Sequence, residues 1–326
     1  MFATLLGALP LPPADAGDPL DAVLRAQEEA GMEPVTDGRL RTPELVDLAL
    51  GLDGVERGPA GTLRATRLPR RSRPLAVDAW RTAAGRTNLA VKQALPGPYS
   101  LLKRIDPGNQ DPDAIAAALA EALRDEVHEL AAAGCPLIEI EESAAHRIGT
   151  DPTERARFRE AHLRIAEGAP ETHLSLSIVG GSAAEAGIET ILAAPYASFA
   201  VDLIAGPDNW YLVVKAPGDR GIVAGVIEPE EGSDDRPELP VWAAHYAAST
   251  GGRGIARVGL GTAGGLERLS WPVAAEKLRR LGEAARIAGL PAADQVAVLD
   301  PRALDIRTAA MGRHAAPPKR RPRRRP

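Results

Sequence analysis

The chain has 326 residues, a formal net charge of −5, 44% hydrophobic and 25% charged residues, which provides apolar surface for one large core and excludes a chain that is disordered throughout. Only 4 Trp, 4 Tyr and 3 Phe are present, which argues against the stacking platforms of single-stranded nucleic-acid binders. The single cysteine, Cys135, excludes an intramolecular disulfide and a Cys-rich zinc centre and fits a reducing cytoplasm.

The apolar N-terminal stretch MFATLLGALP has no preceding Lys or Arg and is cut short by prolines, so it reads as a first strand over 3–8 and not as a signal peptide. Further short apolar runs lie at 33–37, 89–95, 136–141, 172–179, 199–204, 221–227 and 255–261, several of them with little polar alternation, as in strands buried on both faces. Between them lie helical patterns. In 113–133, Ile115, Leu119, Leu123, Val127 and Leu130 form one apolar stripe, and 272–289 has similar spacing. The stretch 57–74, rich in Arg, Gly and Pro, and the acidic stretch 228–240 read as solvated loops. No run approaches the ~20 apolar residues of a membrane span. Strand and helix repeated over this length predict an α/β fold, a single-domain (β/α)8 TIM barrel over 1–305, with a doubly wound open sheet as the other architecture. Residues 306–326 read as a disordered basic tail; 315–326 (AAPPKRRPRRRP) carries cations and no anion, enough for weak attraction to nucleic acid and too short for a dedicated site.

In a barrel of this kind the chemistry lies at the C-terminal ends of the strands. Those ends read Gly7-Ala8-Leu9-Pro10, Thr36-Asp37-Gly38-Arg39, Lys92 with Leu95-Pro96-Gly97-Pro98, Glu139-Ile140-Glu141-Glu142-Ser143, His173-Leu174-Ser175-Leu176-Ser177, Asp202, Glu228 and Gly261-Thr262-Ala263-Gly264-Gly265-Leu266. Their order and character resemble the cobalamin-independent methionine synthase superfamily, in its single-barrel form related to the C-terminal half and to archaeal homologues, over residues 4–281. Uroporphyrinogen decarboxylase is a more distant relative in the same barrel superfamily. The strongest stretch is 130–145, similar to a helix, Ala-Gly and a strand ending in Gln-x-Asp-Glu-Pro-Ala. The resemblance implies methyl transfer from a folate-type donor to a thiol held by zinc, with ligands from a His-x-Cys strand, a Glu on the next strand and a Cys near the last.

This sequence departs from that pattern. His173 matches the His, Ser175 stands in place of the Cys, Asp202 is the nearest acid to the Glu, and the last Cys position falls on 262–264 without a thiol. The expectation is therefore an incomplete zinc site, with His173 and Asp202 as the ligands of any zinc that is bound. Ala8 replaces a substrate-holding Ser, and Arg39 replaces a Glu that faces the substrate ammonium, so the implied substrate carries an anion there.

Glu141 and Glu142 are adjacent and so point to opposite faces of a strand, whereas Glu139 and Glu141 share one face, as do His173, Ser175 and Ser177. A Ser-His-acid hydrolase reading lacks a G-x-S-x-G elbow. The run Gly259-Leu260-Gly261-Thr262-Ala263-Gly264 satisfies G-x-G-x-x-G, but no acid ends a second strand at the required distance. Cys135 reads as a packed small hydrophobe, and His128, His162 and His314 have no neighbouring ligand pattern. The leading expectation is a cytoplasmic transferase moving a methyl or one-carbon group to a small, anionic, nucleophilic acceptor. Its pocket is built from His173, Glu141 and Asp202 as catalytic groups and Asp37, Arg39, Lys92, Glu142 and Ser175 as substrate-binding groups. A zinc-free lyase or decarboxylase on the same barrel and an inactive small-molecule binder are the alternatives.

Overall fold

The computed structural model describes residues 1–168 and 172–300. In chain order its strands are β1 (Phe2–Thr4), β2 (Asp53–Arg57), β3 (Leu63–Arg70), β4 (Lys92–Pro96), β5 (Ile105–Asp106), β6 (Leu137–Glu142), β7 (His173–Ile178), β8 (Ser198–Asp202), β9 (Gly221–Ile227) and β10 (Val258–Thr262). The α-helices are α1 (Pro19–Glu29), α2 (Val77–Ala84), α3 (Pro98–Arg104), α4 (Pro112–Ala132), α5 (Pro152–Ala166), α6 (Ile188–Ile191), α7 (Trp210–Lys215), α8 (Glu238–Ser249), α9 (Trp271–Ala288) and α10 (Ala292–Val298). Asp18, Asp111 and Asp151 cap α1, α4 and α5, each followed by proline at the first helical position.

Seven strands form one parallel sheet in the order β1-β10-β9-β8-β7-β6-β4. The space between β1 and β4 is closed by residues 33–35. The Glu33 N–H donates to the Ala3 carbonyl at 3.0 Å, and on the other side Val35 bridges to Val91, donating to the Ala90 carbonyl and accepting from the Lys92 N–H at 2.9 Å each. The sheet therefore curls into the expected (β/α)8 barrel, with the second strand reduced to a bridge. The strand expected over 33–37 is shortened because Pro34 has no N–H to pair and the chain turns away at Gly38 and Arg39, both at positive φ.

Alternation along the strands sorts the core. Ile138, Ile140, Leu174, Leu176, Phe199, Val201, Ile222 and Ala224 face the helices in one large apolar cluster. Inside the barrel, Leu6, Ala200 and Val223, with Phe2 against them, form a small apolar plug, and other inward positions carry glycine, serine and charge, such as Gly259, Ser175, Lys92 and Glu139. Gly259 is required there, since a Cβ would lie 2.3 Å from the Phe2 ring. Gly282 plays the same part outside, where α9 crosses α1 so closely that a Cβ would come within 1.7 Å of the Ala30 carbonyl oxygen. Gly282→Ala is expected to lower stability by about 3 kcal/mol, read from urea unfolding, because both helices must move apart.

Two stretches expected to be solvated loops are organised. The stretch 57–74 contains β3, which pairs antiparallel with β2 just before it and parallel with β5 in a separate three-stranded sheet. The fully buried Glu126 clamps the segment between β3 and α2, accepting from Arg71 Nε at 2.7 Å and from the backbone N–H groups of Leu75, Ala76 and Val77 at the start of α2. In 228–240, Asp235 is buried in an ion pair with Lys277 Nζ at 2.6 Å, which pins the acidic loop to α9. Among the described residues no helix is long and apolar enough to cross a membrane. The expected boundary at 305 and the basic tail, with His314, lie outside the described residues.

Candidate active site

The C-terminal mouth is shaped first by the turn after the bridge at Val35. Gln27 of α1 holds Thr36 through both backbone groups, donating to its carbonyl at 2.8 Å and accepting from its N–H at 2.9 Å. The next turn is fixed by Asp37, whose Oδ1 accepts the Arg39 N–H at 2.9 Å and supports Arg39 at φ +56°. A non-glycine residue held in the left-handed region marks a position specified by its surroundings. Here the consequence is to aim the guanidinium across the mouth, where it makes a two-pronged ion pair with Glu141 at the end of β6, both side chains about one-tenth exposed. Burial works against the Arg39 charge, but Glu141, with Glu139 and Asp37 behind it, holds its pKa above the usual value.

Glu142 points the other way, as alternation requires. Its fully buried carboxylate accepts from the N–H groups of Tyr99 and Ser100 at 3.0 and 2.7 Å and from the Ser100 hydroxyl, and lies 2.9 Å from His162 Nε2. His162 Nδ1 is in turn 2.6 Å from the Tyr196 hydroxyl, whose pKa burial pushes well up. Glu142, expected to bind substrate, is thereby used in anchoring α3 and α5 to β6. Gly97 makes room for it: a Cβ there would lie 2.1 Å from the Glu142 carboxyl carbon. His162, for which the sequence offered no neighbouring pattern, is the centre of this network.

Asp202 ends β8. Its carboxylate accepts from the N–H groups of Ile204 and Ala205 at 2.9 Å each and of Gly180 at 3.2 Å, closing the loops after β7 and β8. Burial raises its pKa above the ordinary 3.8, more than these three donors lower it. The native state therefore binds the proton more tightly than the unfolded chain, so this contribution to stability is complete below pH 3.8 and is lost as pH rises through the native pKa. Urea midpoints measured between about pH 3.5 and 6 are expected to fall with rising pH more in the parent protein than in Asp202→Asn.

Together these elements surround a cavity of about 430 Å³ at the mouth, lined by Arg39 and Glu141 and by Arg104, His146, Arg147 and Glu267. Arg39 faces Glu141 and Arg104 faces Glu44 at 3.8 Å, whereas Arg147 and Glu267 make no ion pair among the described residues. The cavity thus offers one uncommitted cation and one uncommitted anion, both on exposed side chains. Sequence reasoning missed His146, Arg147 and Glu267. The available signal was their position, just beyond the ends of β6 and β10, where barrel loops carry function.

Of the expected site residues Arg39 and Glu141 line this cavity, and Asp37, Glu142, Asp202, Lys92, His173 and Ser175 do not. Lys92, at the start of β4, is buried inside the barrel and pairs with Glu139 at 2.8 Å. His173 is the first residue of β7, at the opposite mouth, with Nε2 2.7 Å from the Ser198 hydroxyl. Ser175 is buried beside it, its hydroxyl 2.9 Å from that of Ser198. Because Ser175 is in register with Ser198, His173 and Asp202 are offset by six residues of strand, roughly 20 Å. No single zinc ion can take both as ligands, which corrects the expected pairing. Among the described residues no three His, Cys, Asp or Glu side chains are grouped to hold a metal ion, and the Asp202 carboxylate is turned onto three backbone N–H groups, so the residues present do not fit the zinc centre that the resemblance implied. Cys135 is buried with its thiol on the Leu137 carbonyl, and burial pushes its pKa up to about 12. The glycine run at 259–264 does not open a helix, since α9 begins only at Trp271; Gly259 and Gly261 instead pack against Phe2 and Leu6 inside the barrel.

A (β/α)8 barrel with a charged cavity at its C-terminal mouth has the layout in which barrel proteins hold small-molecule sites. Residues 70–232 match the family described as "Cobalamin-independent synthase, N-terminal domain", half of the chain, and the chain belongs to this family. The matched description is that of the N-terminal domain, whereas the motifs at the strand ends were compared with the C-terminal half. The chain is 28% identical over 200 residues to a 5-methyltetrahydropteroyltriglutamate–homocysteine methyltransferase of Rhodopseudomonas palustris, a match covering 56% of this chain and 25% of that protein. A second protein of that name from the same species is 32% identical over 100 residues, covering 30% of this chain and 12% of that protein. The aligned region thus corresponds to a minor part of these relatives. Among solved structures, a B12-independent methionine synthase from a Shewanella species in complex with selenomethionine superposes with a TM-score of 0.76 at 18% identity, over 91% of this chain and 99% of that one. A vitamin-B12-independent methionine synthase from Listeria monocytogenes gives 0.71 at 18% identity, over 88% of this chain and 97% of that one. At such identities these structures establish the shared fold.

Proposed function

We propose that the chain is a transferase that moves a methyl or similar one-carbon group from a folate-type donor to a small nucleophilic acceptor carrying an anionic group, bound at the C-terminal mouth of the barrel. Family membership and the names of the Rhodopseudomonas relatives support the reaction class. The observation that carries the site is the cavity with Arg39 locked onto Glu141 and Arg147 left without an ion pair. Arg147 and the outer edge of the Arg39 fork bind the acceptor's anion. Glu267 is placed to take a positive group on the same molecule. Glu141, poised by Arg39, orients the nucleophile and accepts its proton as the new bond to carbon forms; the donor bond breaks with its electron pair left on the donor atom, which takes up one proton, so the proton lost by the acceptor balances the one gained by the demethylated donor. Asp37 acts through the backbone of Arg39, and Glu142 and Asp202 hold the strand ends in place. No step is routed through zinc, since the expected ligands do not converge. The buried Cys135 suits a reducing cytoplasm.

The test is methyl transfer from 5-methyltetrahydropteroyl donors to a panel of thiols with and without a carboxylate. Turnover is expected with carboxylate-bearing acceptors, and Arg147→Ala should raise KM for the acceptor by about tenfold with little change in kcat, the signature of a lost ground-state charge contact. Equal turnover with uncharged thiols would overturn the anionic acceptor.

A further inference from the structure

The opposite, N-terminal mouth of the barrel opens into a second and larger cavity of about 610 Å³, remote from the proposed active site. Its existence reflects the small inward side chains of β7, β8 and β9, where Ser175, Ser198 and Gly221 stand in place of the bulky residues that fill such barrels. Phe2, Leu137 and Val223 supply apolar walls. At the inner end Glu139, 2% exposed, accepts from Lys92 through Oε2, while its other oxygen, Oε1, is buried without a hydrogen-bond partner. A buried carboxylate oxygen left unpaired is costly, and in a cavity it is an acceptor waiting for a donor.

The neighbouring polar groups cannot supply that donor. The Ser198 hydroxyl donates to the Ser175 hydroxyl, that of Ser175 is directed to the Ser198 carbonyl at 3.4 Å, and His173 Nε2 is engaged with Ser198. Lys92 already balances the charge of Glu139, so a second cation is not required. We propose that this cavity is a second binding site, for a small, neutral, largely apolar molecule that carries one hydroxyl or N–H group and donates it to Glu139 Oε1. The occupant lies over the plug of Leu6, Ala200 and Val223, on the side away from Arg39 and Glu141. The site is independent of the proposed transferase activity.

Phenol and anisole are the probes, since they share a ring and an oxygen but only phenol has a donor. Titration of the full-length protein, followed by calorimetry or ligand-observed NMR, should show saturable one-to-one binding of phenol, about tenfold tighter than anisole. Ala256→Trp, an exposed position on the cavity wall, should abolish binding of both probes while leaving the unfolding midpoint unchanged. In Lys92→Met/Glu139→Leu, which removes both charges together, phenol should lose its preference over anisole. Absence of saturable phenol binding, equal affinity for the two probes, or binding unaffected by Ala256→Trp would each overturn the proposal. The Ala256 variant and the two-probe comparison keep the proposal falsifiable even where the double variant does not fold.

Discussion

Lys92→Met is expected to destabilise the protein by about 3–5 kcal/mol in urea unfolding, the largest single-residue effect on stability anticipated for the barrel interior. The two side chains of the Lys92–Glu139 pair are 2% and 3% exposed, so removing the ammonium leaves a carboxylate in a protein environment with neither oxygen paired. Glu139 is held at mid-strand between Ile138 and Ile140, which belong to the outer core, so its backbone cannot shift to relieve the stranded charge. Lys92→Met/Glu139→Leu removes the stranded charge and is expected to recover most of the loss, giving strong coupling in a double-mutant cycle. If the single and double variants were equally unstable, the damage would come from lost packing and the ion pair would not be the cause.

Arg39→Ala is expected to produce the largest functional effect, a loss of about a hundredfold or more in kcat/KM for methyl transfer, comparable with removing a charged partner from a desolvated site. Two consequences combine. The acceptor's anion loses a guanidinium that is fixed in direction by the positive φ of residue 39 and by Asp37. Glu141 loses the two-pronged partner that fixes the direction of its carboxylate, so it no longer holds the nucleophile in line for transfer. Arg39→Lys preserves the charge but not the two-pronged geometry, and an intermediate loss is expected. Asp37→Ala, which touches only the backbone of Arg39, should reproduce part of the defect without altering any charge that faces the cavity.

The sequence revealed the barrel well because its signals are long and periodic. The stripe through Ile115, Leu119, Leu123, Val127 and Leu130 corresponds to the buried face of α4, and the nearly continuous apolar runs became the strands. Period two also placed Glu141 and Glu142 on opposite faces, and the structure gives them different environments accordingly. What the sequence could not supply was height along a strand. His173 matches a motif by residue type, yet the strand starts at that residue, so its side chain opens at the far mouth, and no local pattern marks where a buried strand begins. The β2–β3 pairing was hidden because Leu63 and Ala65 are too brief an alternation to outweigh the surrounding Arg, Gly and Pro. Networks assembled from distant segments were equally hidden: His162, Glu142, Tyr196 and Ser100 meet only once α3, α5, β6 and the chain before β8 are packed together.

The measurement that tests the central claim most directly is the rate of methyl transfer from a 5-methyltetrahydropteroyl donor to carboxylate-bearing thiols, compared between the parent protein, Arg39→Ala and Ala256→Trp. The C-terminal mouth as the active site predicts turnover by the parent, a loss of about a hundredfold in Arg39→Ala, and full activity in Ala256→Trp at the opposite mouth. Turnover that survives Arg39→Ala, or that is lost in Ala256→Trp alone, would place the chemistry elsewhere, and no transfer to any acceptor would contradict the transferase assignment itself.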